Sequence, residues 1–181
     1  ATCIGGCIRD PLSGGTYTFQ AMRISGSGNP TERLDETMAG KLSQKFISLV
    51  SALGYSSYGN QIGLATGMVR EFFHPGYKAK HLELGYVVAA LLNLHNKKKK
   101  KKNGDIVLMV GGRTGRDGEG GATVSSNAQG TNQDAKKMGA HVQKGNAPEE
   151  RKLQRLLLNP EFAKMIIKCN DFGAGGVSVA V

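Results

Sequence analysis

Residues 111–126 read GGRTGRDGEGGATVSS, directly after the apolar run DIVLMV at 105–110. Glycine loses more conformational freedom on folding than any other residue, so a cluster like 111–122 implies positive φ angles or a backbone that closely approaches a ligand. The arginines between the glycines make an anion the natural ligand, while a flexible surface loop is the competing reading. Collagen is excluded, because its Gly-X-Y period needs abundant proline and the chain has 5. The phosphate-loop pattern G-x-x-x-x-G-K-[ST] and a dinucleotide G-x-G-x-x-G opening a helix are both absent.

Working outward, DIVLMV is expected to be a short buried strand feeding the glycine loop. Before it stand six contiguous lysines, Lys97 to Lys102. Without them the formal charge falls from +10 to +4, so the basicity is one local run and not a patterned nucleic-acid face. A solvated, self-repelling linker is the plain reading, and polyanion binding is the sharper alternative. With NGD at 103–105 the run makes a natural boundary: a first module over 1–96, a linker over 97–104 and a second module over 105–181.

In the first module, TYTFQAMRIS at 16–25 reads as a strand after the turn DPLSGG. KLSQKFISLVSALG at 41–54 places Leu42, Phe46, Ile47, Leu49, Val50 and Leu53 close to helical spacing, with Gly54 as the expected stop. GYSSYGNQIGLATG at 54–67 is turn-rich, and HLELGYVVAALLNL at 81–94 suits either a strand or a buried helix. In the second, NAPEERKLQRLLL at 146–158 starts with an Asn cap and Glu149 three residues on. Acids come early and bases late, as the helix dipole prefers. NPEFAKMIIKC at 159–169 restarts on Asn159 and Pro160, and NDFGAGG then turns into strand-like VSVAV. The order, strand, helix, strand, linker, strand, helices, strand, is α/β or α+β in two modules.

A hydrophobic fraction of 39% and a charged fraction of 21% describe a folded globular chain. No apolar stretch approaches the roughly 20 residues of a membrane-spanning helix. The start, ATCIGGCIRDP, lacks a signal-peptide pattern, so the cytoplasm is the expected compartment. Opening without methionine and stopping at GGVSVAV, the chain is expected to be an internal piece of a longer protein. Cys3, Cys7 and Cys169 are odd in number and suit a reducing compartment. Cys3 and Cys7 lack the second Cys/His pair of a structural zinc site and read as small packing residues. His74, His81, His95 and His141 show no metal-ligand spacing and carry no assigned role.

Four stretches in order, ATCIGGCIRD (1–10), YGNQIGLATG (58–67), GGRTGRDGEGGATVSS (111–126), and VQKGNAPEERKL with NDFGAGG (142–153 and 170–176), resemble the phosphoribosylformylglycinamidine synthase family. The resemblance covers nearly the whole chain. It implies a module like that of aminoimidazole ribonucleotide synthetase, with an open-sheet first domain that pairs with a partner's sheet and an α/β second domain. It also implies an ATP-dependent ligase of purine biosynthesis. The formamide oxygen of formylglycinamide ribonucleotide attacks the γ-phosphate of ATP, and ammonia from glutamine then displaces phosphate to leave an amidine. Such a transfer needs in-line positioning and neutralised phosphate charge, which Mg²⁺ held by carboxylates supplies.

Position by position, the resemblance implies that Asp10 and Asp171 are magnesium ligands and that Arg9 and Gln143 bind substrate. Ala1 to Asp10, with Gly5, Gly6, Arg9 and Asp10, corresponds to a segment assigned to ATP. Arg113, Thr114, Gly115 and Arg116 are candidate anion contacts, and Asp117 is read as structural. Aspartates in tight turns suit a cation that wants one or two carboxylates plus phosphate and water oxygens. Cys3 stands where the family usually has glycine, Lys144 where an apolar residue is usual, and the lysines replace a short connection. The family's catalytic residues, its second synthetase half and its glutaminase lie outside this sequence, so no catalytic residue is assigned and the chain alone is expected not to turn over. Aminoimidazole ribonucleotide or selenophosphate synthetases, without the TGRDG loop, and a non-enzymatic basic module are the alternatives.

Overall fold

The computed structural model describes residues 1–91, 100–112, 145–173 and 176. The order of regular elements is α1 (Thr2–Ser13), β1 (Thr16–Ser27), α2 (Gln44–Ile62), β2 (Ala65–Phe73), β3 (Leu82–Leu91), α3 (Ala147–Leu157) and α4 (Pro160–Met165), with single 3-10 turns at Leu34–Glu36 and Pro75–Tyr77. The three strands form one mixed sheet in the order β2-β1-β3, with β1 parallel to β2 and antiparallel to β3.

α1 forms although Gly5, Gly6 and Pro11 all disfavour a helix. Ile4, Ile8 and Leu12, each one turn after the last, are buried, and this stripe against the sheet supplies what propensity lacks. Pro11 removes an N–H only in the final turn. The last carbonyls of the helix take side-chain donors as well: Ser13 Oγ on Asp10 O at 2.9 Å, and Thr16 Oγ1 on Pro11 O at 2.6 Å.

α2 starts on a Ser43 cap, whose hydroxyl accepts from the Phe46 N–H at 3.3 Å. It ends on Gly63 at φ 77°, a left-handed C-cap that glycine adopts without a Cβ penalty. Its buried face is Tyr55, Tyr58, Gly59 and Ile62. With Ile4, Ile8, Ala21, Leu64 and Ala147 these residues build one small core between α1, α2, α3 and the sheet, and Val87 packs against it.

A charged network reinforces that core. Arg23 on β1 is 3% exposed and reaches both outer strands: Nε to Glu83 Oε1 at 2.5 Å, Nη2 to Glu83 Oε2 at 3.1 Å and Nη1 to Glu71 Oε1 at 2.8 Å. His81 closes the chain, Nε2 on Glu83 at 2.8 Å and Nδ1 on Ser27 Oγ at 2.9 Å. A buried guanidinium keeps its charge only when donors and acceptors match this way.

The other sheet face is open. Met22 pairs with Tyr86 and Met68, and Ile24 with Leu84 and Arg70. Leu82, Leu84, Tyr86, Met68 and Phe72 on that face are all exposed. The module is thus mixed α/β with an open sheet, as expected.

Several expectations are corrected. α1 covers Thr2–Ser13, so most of the expected turn DPLSGG is helix and Asp10 lies in the last turns of α1. The helix at 41–54 does not stop at Gly54 but runs through the turn-rich YSSYGNQ to Ile62, because the tyrosines there are its buried face. The stripe Leu42, Phe46, Leu49, Val50 and Leu53 points outward and is exposed. HLELGYVVAA resolves as strand β3, and β2 is a strand with no counterpart in the expected order. DIVLMV is neither strand nor buried: Ile106 to Val110 are exposed and irregular. A strand needs a neighbouring ladder for its N–H and C=O groups, and none of the described residues pairs with it.

Candidate functional site

The site forms where α1, α2 and α3 converge with the segment around Asp171. Arg9 projects from α1 and is 18% exposed. Its Nη1 donates to Glu150 Oε2 and its Nε to Asp171 Oδ2, each at 3.2 Å. The Tyr58 hydroxyl, from α2, donates to the same Glu150 oxygen.

Glycines shape the approach. A Cβ on Gly5 would lie 2.6 Å from Tyr58 Oη and 3.0 Å from Arg9 Nη1, and one on Gly145 would lie 2.5 Å from Tyr58 Cε2. Neither position tolerates a side chain without moving Tyr58, so Gly5 has a packing reason for its identity. Gly6 borders the guanidinium, 3.7 Å from a built Cβ to Arg9 Nη2.

Glu150 is 3% exposed, and burial pushes its carboxyl up to about 7, opposed by the Tyr58 hydroxyl and the Arg9 charge. Desolvation, with Glu150 beside it, pushes the Tyr58 phenol well above its ordinary value. The carboxylates raise the Arg9 pKa although burial works against them, so its charge is secure. Among the described residues, two buried polar atoms of this cluster, Arg9 Nη2 and Glu150 Oε1, have no hydrogen-bond partner. An unpaired buried N–H on a charged fork costs free energy unless an acceptor is present, so Nη2 can take an acceptor oxygen.

Asp171 is half-buried. Oδ2 takes Arg9 and Oδ1 accepts the Gly173 N–H at 2.9 Å, which leaves further lone pairs on both oxygens. Asp10 follows Arg9 on the helix and is exposed. Among the described residues, no three His, Cys, Asp or Glu side chains group closely enough to hold a metal alone. A carboxylate such as Asp171, with lone pairs left over and the remaining positions open to phosphate and water, fits magnesium and fits poorly a metal needing an all-protein cage.

Of the residues picked from sequence, the fold joins Arg9 to Asp171 and places Gly5, Gly6 and Asp10 on the same helix. Arg113, Thr114, Gly115, Arg116, Asp117 and Gln143 lie outside the described residues, as do Lys97 to Lys99 and the VSVAV segment. Tyr58 and Glu150 escaped the sequence reading. Glu150 was hidden behind a helix-dipole explanation for Glu149 and Glu150, although Ala147, Glu150 and Gln154 share one buried, mostly polar face.

Residues 102–181 match the family model described as AIR synthase related protein, C-terminal domain. The chain is 32% identical over 190 residues to the phosphoribosylformylglycinamidine synthase subunit PurL of Picrophilus torridus, covering 100% of this chain and 24% of that protein. It is 31% identical over 184 residues to PurL of Methanopyrus kandleri, covering 99% and 24%. For PurL of Thermoplasma acidophilum the identity is 29% over 181 residues, covering 99% and 23%. The chain thus spans about a quarter of the length of the relatives it matches. No solved structure matches it significantly. No helix among the described residues is long and apolar enough to cross a membrane.

Proposed function

The chain belongs to the phosphoribosylformylglycinamidine synthase family, and from that premise we propose that it forms part of an ATP-dependent ligase centre making formylglycinamidine ribonucleotide from formylglycinamide ribonucleotide, glutamine and ATP. The observation that carries this reading is the Arg9 junction. It brings the first and last family-like stretches together around a guanidinium whose buried Nη2 has no partner among the described residues.

In this reading Arg9 Nη2 donates to an anionic or carbonyl oxygen of the ribonucleotide, with Glu150 and Tyr58 fixing the guanidinium plane. Asp171 and Asp10 hold Mg²⁺, which would neutralise charge on the nucleotide phosphates. Gly5 and Gly6 let α1 approach the site closely, and Gln143 contacts substrate. Arg113 to Arg116 add anion contacts from the second module. The family-model match beginning at Lys102 supports a module boundary in the lysine run, with 1–96 and 105–181 as the two parts. The open sheet face pairs with a sister module, and a glutaminase domain or subunit delivers ammonia. The compartment is the cytoplasm.

The test uses the full-length protein that contains this segment. Arg9→Gln should raise KM for the ribonucleotide and lower kcat, while glutamine hydrolysis uncoupled from synthesis is preserved. Unchanged KM and kcat for the ribonucleotide would remove Arg9 from the site.

A further inference from the structure

α1 carries two thiols one helical turn apart on the side that meets β3. Cys3 and Cys7 are both half-buried and reduced. Cys3 Sγ donates to the Glu83 carbonyl at 3.6 Å and Cys7 Sγ to the Gly85 carbonyl at 3.2 Å. Gly85 shows how closely they converge. A Cβ built on it would lie 2.7 Å from Cys7 Sγ and 3.1 Å from Cys3 Sγ, so both sulfurs border one small volume above the strand. The neighbouring Cys7 sulfur brings the Cys3 pKa down to about 7, against the effect of burial, and the same interaction holds the Cys7 proton more tightly. Nothing proposed for the Arg9 site uses either sulfur.

Two chemistries suit such a dithiol, and geometry separates them. A disulfide wants its Cβ atoms roughly 3.5–4.5 Å apart. Positions i and i+4 of a regular helix hold them about 5–6 Å apart, so closing the bond would distort α1. A bridging metal, with bonds to sulfur of about 2.3 Å, spans the wider gap and leaves the helix intact. Zinc needs four ligands, and among the described residues no third His, Cys, Asp or Glu joins the pair. Soft thiolates without further donors select Cu(I).

We propose that Cys3 and Cys7 form a two-thiolate site for Cu(I), seated between α1 and β3 at Gly85. Binding releases both thiol protons, replaces the two S–H to carbonyl hydrogen bonds and forms two copper–sulfur bonds with no change of oxidation state.

The test offers the chain Cu(I) as its bicinchoninate complex, without oxygen or thiol reductant, and follows transfer by the loss of the complex's colour. Wild-type chain and Cys169→Ser should each take one Cu(I). Cys3→Ser and Cys7→Ser should each bind more than about tenfold more weakly, since half the ligand set is gone. Serine still donates to the Glu83 and Gly85 carbonyls, and circular dichroism checks that the fold is kept. A second readout is phenylarsine oxide, which bridges two thiols with loss of water. It should shield Cys3 and Cys7 from alkylation in the wild type and leave Cys7 unshielded in Cys3→Ser. Wild-type Cu(I) affinity in either single variant, or loss of binding in Cys169→Ser, would overturn the proposal.

Discussion

Arg9 Nε lies 3.2 Å from Asp171 Oδ2, joining positions 162 residues apart. The same guanidinium holds Glu150, so two acceptor-bearing segments meet on one cation. Neither end of the chain makes this site alone.

Replacing Arg9 by Met removes that cation while Glu150 and Asp171 stay partly buried. Breaking a buried pair from one side costs about 3–5 kcal/mol, reduced here by protonation of Glu150. Urea unfolding of Arg9→Met should show a loss of that order at pH 8 and a smaller one at pH 5. Equal losses at both pH values would mean that Glu150 does not feel Arg9.

The Glu150 carboxyl itself sets a pH dependence. Its folded pKa, about 7, is above the ordinary 4.5. Between those values the folded state binds the proton more tightly, so stability falls as pH rises from about 4.5 through 7 and levels off above. Glu150→Gln, which keeps an acceptor for Tyr58 and Arg9, should flatten this slope by on the order of 3 kcal/mol across the window. Melting curves of both proteins from pH 4.5 to 8.5 check it, and parallel slopes would refute it.

How much of this was legible beforehand depended on what each element relies on. β1, α3 and α4 announce themselves through local chemistry: β-branched residues in the strand, and Asn146 and Asn159 whose side chains accept from the first-turn N–H groups. α1 carries two glycines and a proline, and only burial of Ile4, Ile8 and Leu12 against the sheet makes it a helix. α2 was recognised by a stripe that proves to be its outer face. Its inner face is tyrosine and glycine, which read as a turn because the partners of Tyr55 and Tyr58 are distant in sequence: Met22 O and Glu150. Asp10, Arg9 and Asp171 came from family resemblance, while Glu150 and Tyr58 needed the fold.

Gly85 is predicted to be a packing requirement for α1. Gly85→Ala places a methyl against both sulfurs, and overpacking of this kind costs about 1–3 kcal/mol. Cys7→Ala opens the space, so the double variant should recover part of the loss. Thermal melts of the four-member cycle measure the coupling; additive effects would place the strain elsewhere.

The open sheet face should drive association. Leu84 and Tyr86 lie side by side with Ile24 and Met22 on that face, exposed, and contiguous apolar surface of this kind marks an interface. Sedimentation of the chain should show concentration-dependent dimers that Leu84→Lys with Tyr86→Lys abolishes. A wild-type monomer at every concentration would contradict sheet pairing as the use of this face.

The central claim is that Asp171 holds magnesium on a nucleotide phosphate beside Arg9. Asp171→Asn keeps an oxygen to accept from Arg9 Nε and from the Gly173 N–H, so it removes charge with little change of shape. The decisive measurement is ATP-dependent turnover of the full-length protein across a magnesium titration, wild type against Asp171→Asn. The account predicts a strong loss of kcat and a shift of the magnesium requirement to higher concentration. Superimposable titrations would contradict it.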